Sequence, residues 1–200
     1  CDGIVCRNLM ELGLPLSTDG IDVCGSRNIL IEDCLIKCND DCVVLKALPH
    51  RYATIDWRRD VEHVVVRRCI FSTIRNGCTF EIGHELGTDS VRDILFEDCD
   101  VLNVNGFGSV FSIQNTDHAH VRDVLYRKIR IEHCFEKLLN LRVMDSRFSH
   151  ERAKGKVSGI RFESIEWTTF SYNLGYTVSI IGGLDEEHKV EDVTFEDFRI

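Results

Sequence analysis

The sequence predicts an all-β protein that folds as a parallel β-helix (a solenoid), with residues 1–200 forming one domain. Three observations predict this class. Apolar and polar residues alternate with a period of two, the alternating segments recur along the chain, and no helical pattern lies between them. Alternation with this period places every second side chain on one face, as in a strand that is buried on one side.

The recurring segment begins with a polar pair, continues with Ile or Val, and ends on another apolar position after two polar residues. Its six copies start 30 to 36 residues apart, at Ser26, Val61, Val91, Val121, Val157 and Val190. A second strand-like run follows most copies, and these runs start at Cys42, Cys78, Ser109, Leu138 and Thr177. Each repeat therefore supplies at least two short strands.

Other β architectures fit this repeat less well. A β-propeller needs four strands per blade and about 40 residues per repeat. An antiparallel sandwich needs tight hairpins, but the Asn-Gly pairs at Asn76 and Asn105 do not join neighbouring predicted strands. In a parallel β-helix, equivalent positions of successive coils stack about 4.7–4.9 Å apart. This geometry predicts two interior ladders, one of Cys34, Cys69 and Cys99 and one of Ile29, Val64, Ile94, Val124, Ile160 and Val193.

Solenoids need polar capping repeats at both ends, and the sequence contains neither. Its first residues are typical of an earlier coil, and Ile200 ends the first strand of another. We therefore expect the chain to be an internal piece of a longer protein.

The composition restricts the class of partner. The formal charge is −9 and the pI is about 5.4, which argues against nucleic acid because phosphates require a basic surface. No segment approaches the roughly 18 to 20 apolar residues of a membrane span. The ten cysteines lack CxxC spacing, so we interpret the repeated ones as small apolar core residues. We expect a monomer with no nucleic acid, membrane or metal partner.

Three aspartates mark the candidate site. Asp19 and Asp40 are 21 residues apart, about one coil, so they should be neighbours on adjacent coils with Asp41 beside them. Clustered carboxylates raise the pKa of at least one member, and an acid beside carboxylates is what glycoside hydrolysis requires. The spacing leaves two alternatives open. Asp19 caps a turn while the other two lie in a solvated loop, or the three carboxylates bind calcium.

The stretch "STDGIDVCGSRNILIEDCLIKCNDDCVVLK" resembles the catalytic stretch of glycoside hydrolase family 28, the polygalacturonase family. That family has NTDGID, a strand, and GDDC before an apolar strand, and the likeness is specific over Leu14–Lys46. The resemblance implies a right-handed β-helix with Asp40 as general acid. Asp19 and Asp41 would hold and deprotonate the attacking water, with inversion at the anomeric carbon. It also implies an extracellular or periplasmic location, and no cofactor is expected because acid, base and water suffice.

The chain departs from the family pattern at several positions. Ser17 stands in place of the family's Asn, and Asn39 in place of the Gly before the paired aspartates. Cys78 occupies the position of the histidine in a Gly-His-Gly motif. Ser112 and Gln114 occupy those of the Arg and Lys that grip a substrate carboxylate. The sequence therefore leaves open whether the glycan is a uronic acid polymer or neutral.

Alternation along the second strand of each coil, together with the end of one such strand, predicts the substrate-binding residues: Lys46, Glu81, His84, Gln114 and Arg142. A solvated sheet face, a surface histidine and a weak ion pair between Lys46 and Glu81 are the alternatives. The insertion Ala47–Asp60 carries Tyr52 and Trp57, which can stack on sugar rings or pack on the solenoid.

The sequence thus predicts an inverting glycoside hydrolase that acts on pectin or a related plant-type glycan. The alternative is a non-catalytic β-helix that binds a glycan or another protein. The intact aspartates favour the enzyme, whereas the missing His, Arg and Lys favour the binding module. A polysaccharide lyase fits less well, because β-elimination needs a basic Arg or Lys and usually calcium.

Overall fold

A computed structural model describes residues 1–47, 58–149, 151–168 and 178–200. Tyr52 and Trp57, predicted as a cleft wall, lie outside these residues. No helix capable of spanning a membrane is found among the described residues. The strands are β1 (Asp2–Arg7), β2 (Met10–Leu12), β3 (Ile21–Cys24), β4 (Arg27–Glu32), β5 (Leu35–Cys38), β6 (Val43–Ala47), β7 (Val61–Arg67), β8 (Ile70–Thr73), β9 (Phe80–Leu86), β10 (Ser90–Val104), β11 (Ser109–Asn115), β12 (His120–Ile131), β13 (Lys137–Val143), β14 (Lys156–Trp167), β15 (Ile180–Gly182) and β16 (Val190–Arg199).

The strands pair in parallel throughout the described ranges. The larger sheet runs in the order β1-β4-β7-β10-β12-β14-β16, with β2, β5 and β8 paired alongside. The smaller sheet runs in the order β15-β13-β11-β9-β6-β3. Neighbours come from successive repeats, so the architecture is all-β and consistent with a β-helix or solenoid. The predicted strands begin within a few residues of the observed ones.

Both predicted interior ladders are buried except at Val193, which is only partly buried. Backbone pairing joins successive members of the Ile/Val ladder: Ile29, Val64, Ile94, Val124, Ile160 and Val193. Cys34, Cys69 and Cys99 are buried as free thiols, as expected for small core residues. An aromatic stack, not predicted, lies beside them. The ring centroids of Phe96 and Tyr126 are 4.9 Å apart, and Phe162 stacks on Tyr126 at 5.0 Å.

Residues with positive φ mark the bends of each coil, one position before an inward side chain. Asn and Asp tolerate this left-handed conformation better than most residues, and Gly adopts it readily. The first set precedes the Ile/Val ladder: Asn28, His63, Asp93, Asp123, Gly159 and Asp192. The second set precedes the cysteine ladder and its later equivalents: Asp33, Arg68, Asp98, Lys128, Ser164 and Asp197. The polar pair that opens each repeat therefore also turns the backbone.

Candidate active site

The predicted substrate-binding residues belong to the smaller sheet. Lys46 lies on β6, Glu81 and His84 on β9, Gln114 on β11, and Arg142 on β13. The predicted alternation along these strands is confirmed, because the intervening side chains are buried in the core: Val43, Leu45, Phe80, Ile82, Phe111, Ile113, Leu139 and Leu141. The sheet thus places side chains from four consecutive coils on one face.

Two adjacent turns bring the three aspartates together. The Asp40 amide donates to the Thr18 carbonyl at 3.1 Å, and the Gly20 amide donates to the Asp41 carbonyl at 2.8 Å. One carboxylate oxygen from each of Asp19, Asp40 and Asp41 lies within 4.8 Å of the others. The predicted adjacency across one coil is therefore confirmed. The three side chains are half-buried, so they do not lie apart in a solvated loop.

Glycine allows the next coil to support the turn that carries Asp40 and Asp41. A Cβ built on Gly77 would overlap the Asp40 carbonyl carbon and the Asp41 nitrogen. A Cβ on Gly108 would in turn overlap the Gly77 carbonyl. Thr73 Oγ1 also donates to the Asp40 carbonyl at 2.8 Å. The position of the two aspartates therefore depends on close backbone packing across three coils.

Burial is the main cause that raises the pKa of both Asp19 and Asp40. At Asp40 the negative charge of Asp19 adds to this effect. At Asp19 the Lys46 ammonium opposes it. The Lys46 ammonium also opposes the rise at Asp40, although its ion pair is with Asp19 and not with Asp40.

Lys46, on β6, contacts Asp19 of the three aspartates and also Asp22. Its Nζ lies 3.3 Å from Asp19 Oδ2 and 3.0 Å from Asp22 Oδ2. Burial opposes its charge, but Asp22 and Asp19 raise the pKa of Lys46 above its usual value, so it stays charged. The alternative of an ion pair between Lys46 and Glu81 is not observed: Lys46 pairs with Asp19 and Asp22, and Glu81 lies opposite Val44 in the sheet. A calcium ion at the aspartates would meet this ammonium, so the arrangement suits acid–base chemistry better.

Asp41 is held by the backbone of the following coil. The Cys78 amide donates to Asp41 Oδ1 at 2.6 Å. This contact does not depend on the side chain at position 78, where the family resemblance expects histidine. Burial raises the pKa of Asp41 well above its usual value, and the charge of Glu81 raises it further.

Glu81 lies in the floor of the site, with 1% of its surface exposed, and not on an open polar stripe. Gln114 Nε2 lies 3.4 Å from both of its carboxylate oxygens and 3.3 Å from Ser112 Oγ. Burial raises the pKa of Glu81. Ser112 and Gln114, which stand where the family has Arg and Lys, therefore hydrogen-bond a buried carboxyl in this chain.

His84 packs on a loop that the sequence did not assign to the site. The ring centroids of His84 and Phe148 are 4.9 Å apart, and the Arg147 guanidinium carbon lies 4.7 Å from the centre of the Phe148 ring. Burial lowers the pKa of His84, which favours its neutral imidazole, while the charge of Glu81 opposes this effect. The position of His84 at a strand end indicated a candidate site residue. Nothing in the sequence of the loop indicated that Phe148 would contact it.

These side chains line one cleft of about 690 Å³, a volume typical of ligand sites. All eight residues predicted for the site line it: Asp19, Asp40, Asp41, Lys46, Glu81, His84, Gln114 and Arg142. Four further residues, which were not predicted from the sequence, also line it: Phe107, Lys137, Arg147 and Phe148. Phe107 is 73% exposed, and its carbonyl accepts a hydrogen bond from Lys137 Nζ at 2.7 Å. An aromatic residue directly after the Asn105-Gly106 turn was the signal that could have indicated it.

Comparisons of this chain with known proteins do not point to a function. A scan of the chain against protein-family models found no match, and a search of curated proteins found no relative. The function is therefore inferred from the geometry of the cleft and from the resemblance over Leu14–Lys46.

Proposed function

We propose that the protein is an inverting glycoside hydrolase with a polygalacturonase-like site on a right-handed parallel β-helix. One observation carries the proposal: Asp19, Asp40 and Asp41 converge from adjacent coils, with carboxylate oxygens within 4.8 Å of one another in an open cleft. Clustered carboxyls of this kind work against folding because they repel when ionised. Glycoside hydrolysis is a reaction that uses such a cluster.

In the proposed reaction, Asp40 donates its proton to the glycosidic oxygen as the bond from that oxygen to the anomeric carbon breaks. Asp19 and Asp41 hold a water molecule, whose oxygen attacks the anomeric carbon while one of its protons passes to Asp19. The raised pKa of Asp40 supports its assignment as the acid. The Lys46 ammonium, 3.3 Å from Asp19, supports the ionised form that a base requires.

Inversion is part of the proposal because of the family resemblance. Inverting glycosidases usually separate acid and base by roughly 6.5–9.5 Å, whereas retaining enzymes use roughly 5–5.5 Å. The nearest carboxylate oxygens of Asp19, Asp40 and Asp41 lie within 4.8 Å, which is closer than the usual inverting distance. In the proposed mechanism two carboxylates hold one water beside the acid, which requires a compact cluster. The anomeric configuration of the product decides between the two outcomes.

The charges of the cleft support an acidic glycan as the substrate. No carboxylate among the described residues forms an ion pair with Arg142 or Arg147, and Arg142 Nε is buried there without a hydrogen-bond partner. Elsewhere the arginines typically pair with carboxylates, as do Arg7, Arg67, Arg68, Arg92, Arg127 and Arg130. Arginine binds a carboxylate through two parallel hydrogen bonds, so we propose that Arg142 and Arg147 bind uronate groups.

A polysaccharide or oligosaccharide is the proposed partner, and we expect the protein to act as a monomer. Phe107, at the margin of the cleft, offers an exposed ring on which a sugar face can stack. The family resemblance supports an extracellular or periplasmic location, where such polymers occur.

The test is reducing-end release by the full-length protein from polygalacturonate, rhamnogalacturonan and several neutral glycans. We expect cleavage of an acidic glycan, and Asp40→Asn should slow it about 10²–10⁴-fold. The control is Asp100→Asn, which makes the same change at a carboxylate that pairs with Arg130 outside the cleft. Cleavage should persist in this control. A folded wild-type protein that cleaves none of the glycans would contradict the proposal.

A non-catalytic glycan-binding module is the second candidate. Cys78 in place of the family's histidine, and Ser112 and Gln114 in place of its Arg and Lys, favour it. The same panel separates the two functions. A module would bind polygalacturonate in a calorimetric titration with no release of reducing ends, and Asp40→Asn would leave its affinity nearly unchanged.

A further inference from the structure

Glu81 is a buried carboxyl whose presence the proposed hydrolysis does not explain. It projects from β9, between Val44 of β6 and Ser112 of β11. One carboxylate oxygen of Asp41, one of Glu81 and the Cys78 sulfur all lie within 4.8 Å of one another. Two carboxyls this close in a buried site interact strongly, because a low local dielectric strengthens the repulsion between their charges.

The groups that face this pair offer little positive charge. Ser112 and Gln114 are neutral hydrogen-bond partners of Glu81, and a positive charge on His84 lowers the pKa of Glu81. The Lys46 ammonium pairs with Asp19 and Asp22 and not with this pair. Among the described residues, no Lys or Arg forms an ion pair with Asp41 or Glu81. The titratable groups around the pair are Asp19 and Asp40 beside Asp41, Cys78 and His84 beside Glu81, and Tyr126 of β12 from the core.

We propose that Asp41 and Glu81 hold a single proton between them, which makes Glu81 a positioning residue that sets the ionisation of Asp41. With the proton, the pair carries one negative charge beside Asp19 and Asp40. Without it, four carboxylates would lie close together, with the Lys46 ammonium paired to Asp19. The inference rests on the proposed function, because the shared proton matters for catalysis only if Asp41 holds the attacking water.

The pKa directions agree with this geometry. Burial raises the pKa of both carboxyls, and the charge of Glu81 is the next cause at Asp41. Strongly interacting groups lose their protons in two steps that belong to the pair. Removing one carboxyl should therefore move the titration of the other to lower pH.

The test is a carbon-detected NMR titration of side-chain carboxyls in the full-length protein without substrate. Glu81→Gln keeps the shape and removes the charge. We expect the midpoint of Asp41 to fall by about one pH unit or more. The matched control is Glu85→Gln, on the same strand and half-buried, which should leave the Asp41 midpoint in place.

The reciprocal variant guards against a Glu81→Gln protein that fails to fold. In Asp41→Asn, the midpoint of Glu81 should fall by a similar amount because coupling is mutual. Unchanged midpoints in either folded variant would overturn the proposal. A merely structural glutamate would alter stability without moving the titration of its neighbour.

Enzyme kinetics then separate this inference from the proposed function. If polygalacturonate is cleaved, Glu81→Gln should shift the pH profile of kcat/KM to lower pH, and Glu85→Gln should not. An NMR shift without cleavage of any glycan would support the coupled pair and contradict the hydrolase. Cleavage without an NMR shift would support the hydrolase and contradict the pair.

Discussion

Glu32 and Glu81 are both buried glutamates, 2% and 1% exposed, yet their surroundings differ. Glu32 ends β4 of the larger sheet, and hydrogen bonds from Arg67, Arg7 and Arg68 lower its pKa to about 2. Glu81 lies on β9 of the smaller sheet with neutral partners, and burial raises its pKa. In the larger sheet, arginines therefore neutralise the charge of the buried Glu32 carboxylate. In the cleft, no arginine or lysine among the described residues pairs with Glu81.

Glu32 and Glu81 therefore have opposite effects on the stability of the fold. A carboxyl with a lowered pKa stabilises the folded state above its unfolded pKa, and this stabilisation is lost as the pH falls through the folded value. A carboxyl with a raised pKa has the opposite effect, because stability falls as the pH rises through the folded value. Groups of the second kind, gathered in a cleft, are candidates for function.

The largest expected effect comes from removing the backbone support of the cleft while leaving every carboxyl in place. Gly77→Ala would drive a methyl group into the Asp40–Asp41 peptide. We expect a loss of about 1–3 kcal/mol in the free energy of unfolding. Glycan cleavage should fall about 10²-fold or more, because small displacements of catalytic groups are costly. Denaturant titration and reducing-end assays measure the two effects.

Gly182→Ala is the control, because a Cβ built on Gly182 meets no atom within 4 Å. Its stability and activity should match the wild type. A Gly77→Ala protein with wild-type activity would show that the Asp40–Asp41 turn does not depend on this packing.

The second-largest effect is expected when the negative charge of Glu32, which three arginines compensate, is removed. Glu32→Gln leaves Arg7, Arg67 and Arg68 around a neutral amide, so the melting temperature at neutral pH should fall by a few degrees. The difference from wild type should disappear as the pH falls from about 4.5 towards 2, where Glu32 itself becomes protonated. Calorimetry across this range tests the prediction. Glycan cleavage at neutral pH, where the protein remains folded, should be unchanged.

The third effect is a change in melting temperature that is smaller than that of Glu32→Gln and opposite in sign. Asp41→Asn removes a carboxyl whose pKa is raised by burial and by Glu81, so the melting temperature at neutral pH should rise while cleavage is lost. The gain should vanish near pH 4, where the unfolded carboxyl is also protonated. A lower melting temperature at neutral pH would indicate that Asp41 stabilises the fold, as Glu32 does.

The smallest effect concerns the ammonium of Lys46, which pairs with Asp19. Lys46→Met removes the charge that opposes the burial of Asp19, so the pKa of Asp19 should rise further. Because the proposed base must be ionised, the acidic limb of the kcat/KM profile should move to higher pH, by less than about one unit. Lys189→Met, at an exposed lysine paired with Glu186, is the control and should leave the profile in place. A shift to lower pH would exclude Asp19 as the base.

The strands and the meeting of the aspartates could be predicted because both depend on local spacing. Alternation identifies the inward face, and a coil of about 21 residues brings Asp19 to Asp40. The partner of Lys46 could not be predicted, because it depends on a sheet register in which Val44, and not Lys46, lies opposite Glu81.

The burial of Glu81 and the loop contacts of the cleft also could not be predicted from the sequence. Alternation correctly placed Glu81 on the outer face of the strand, but the neighbouring coils and loops that bury it are set by tertiary packing. Arg147 and Phe148 lie in an irregular loop without periodicity, so no pattern links them to His84. Their approach depends on how the loop folds over β9.

The most direct test of the hydrolase is a proton NMR time course of polygalacturonate with the full-length protein. It reports cleavage and the configuration of the new anomeric centre before mutarotation. Galacturonate is α-linked in this polymer, so we predict that new reducing ends appear first as the β-anomer, and that Asp40→Asn produces none. A first product in the α-configuration would contradict inversion. The absence of new reducing ends with every glycan tested would contradict the hydrolase itself.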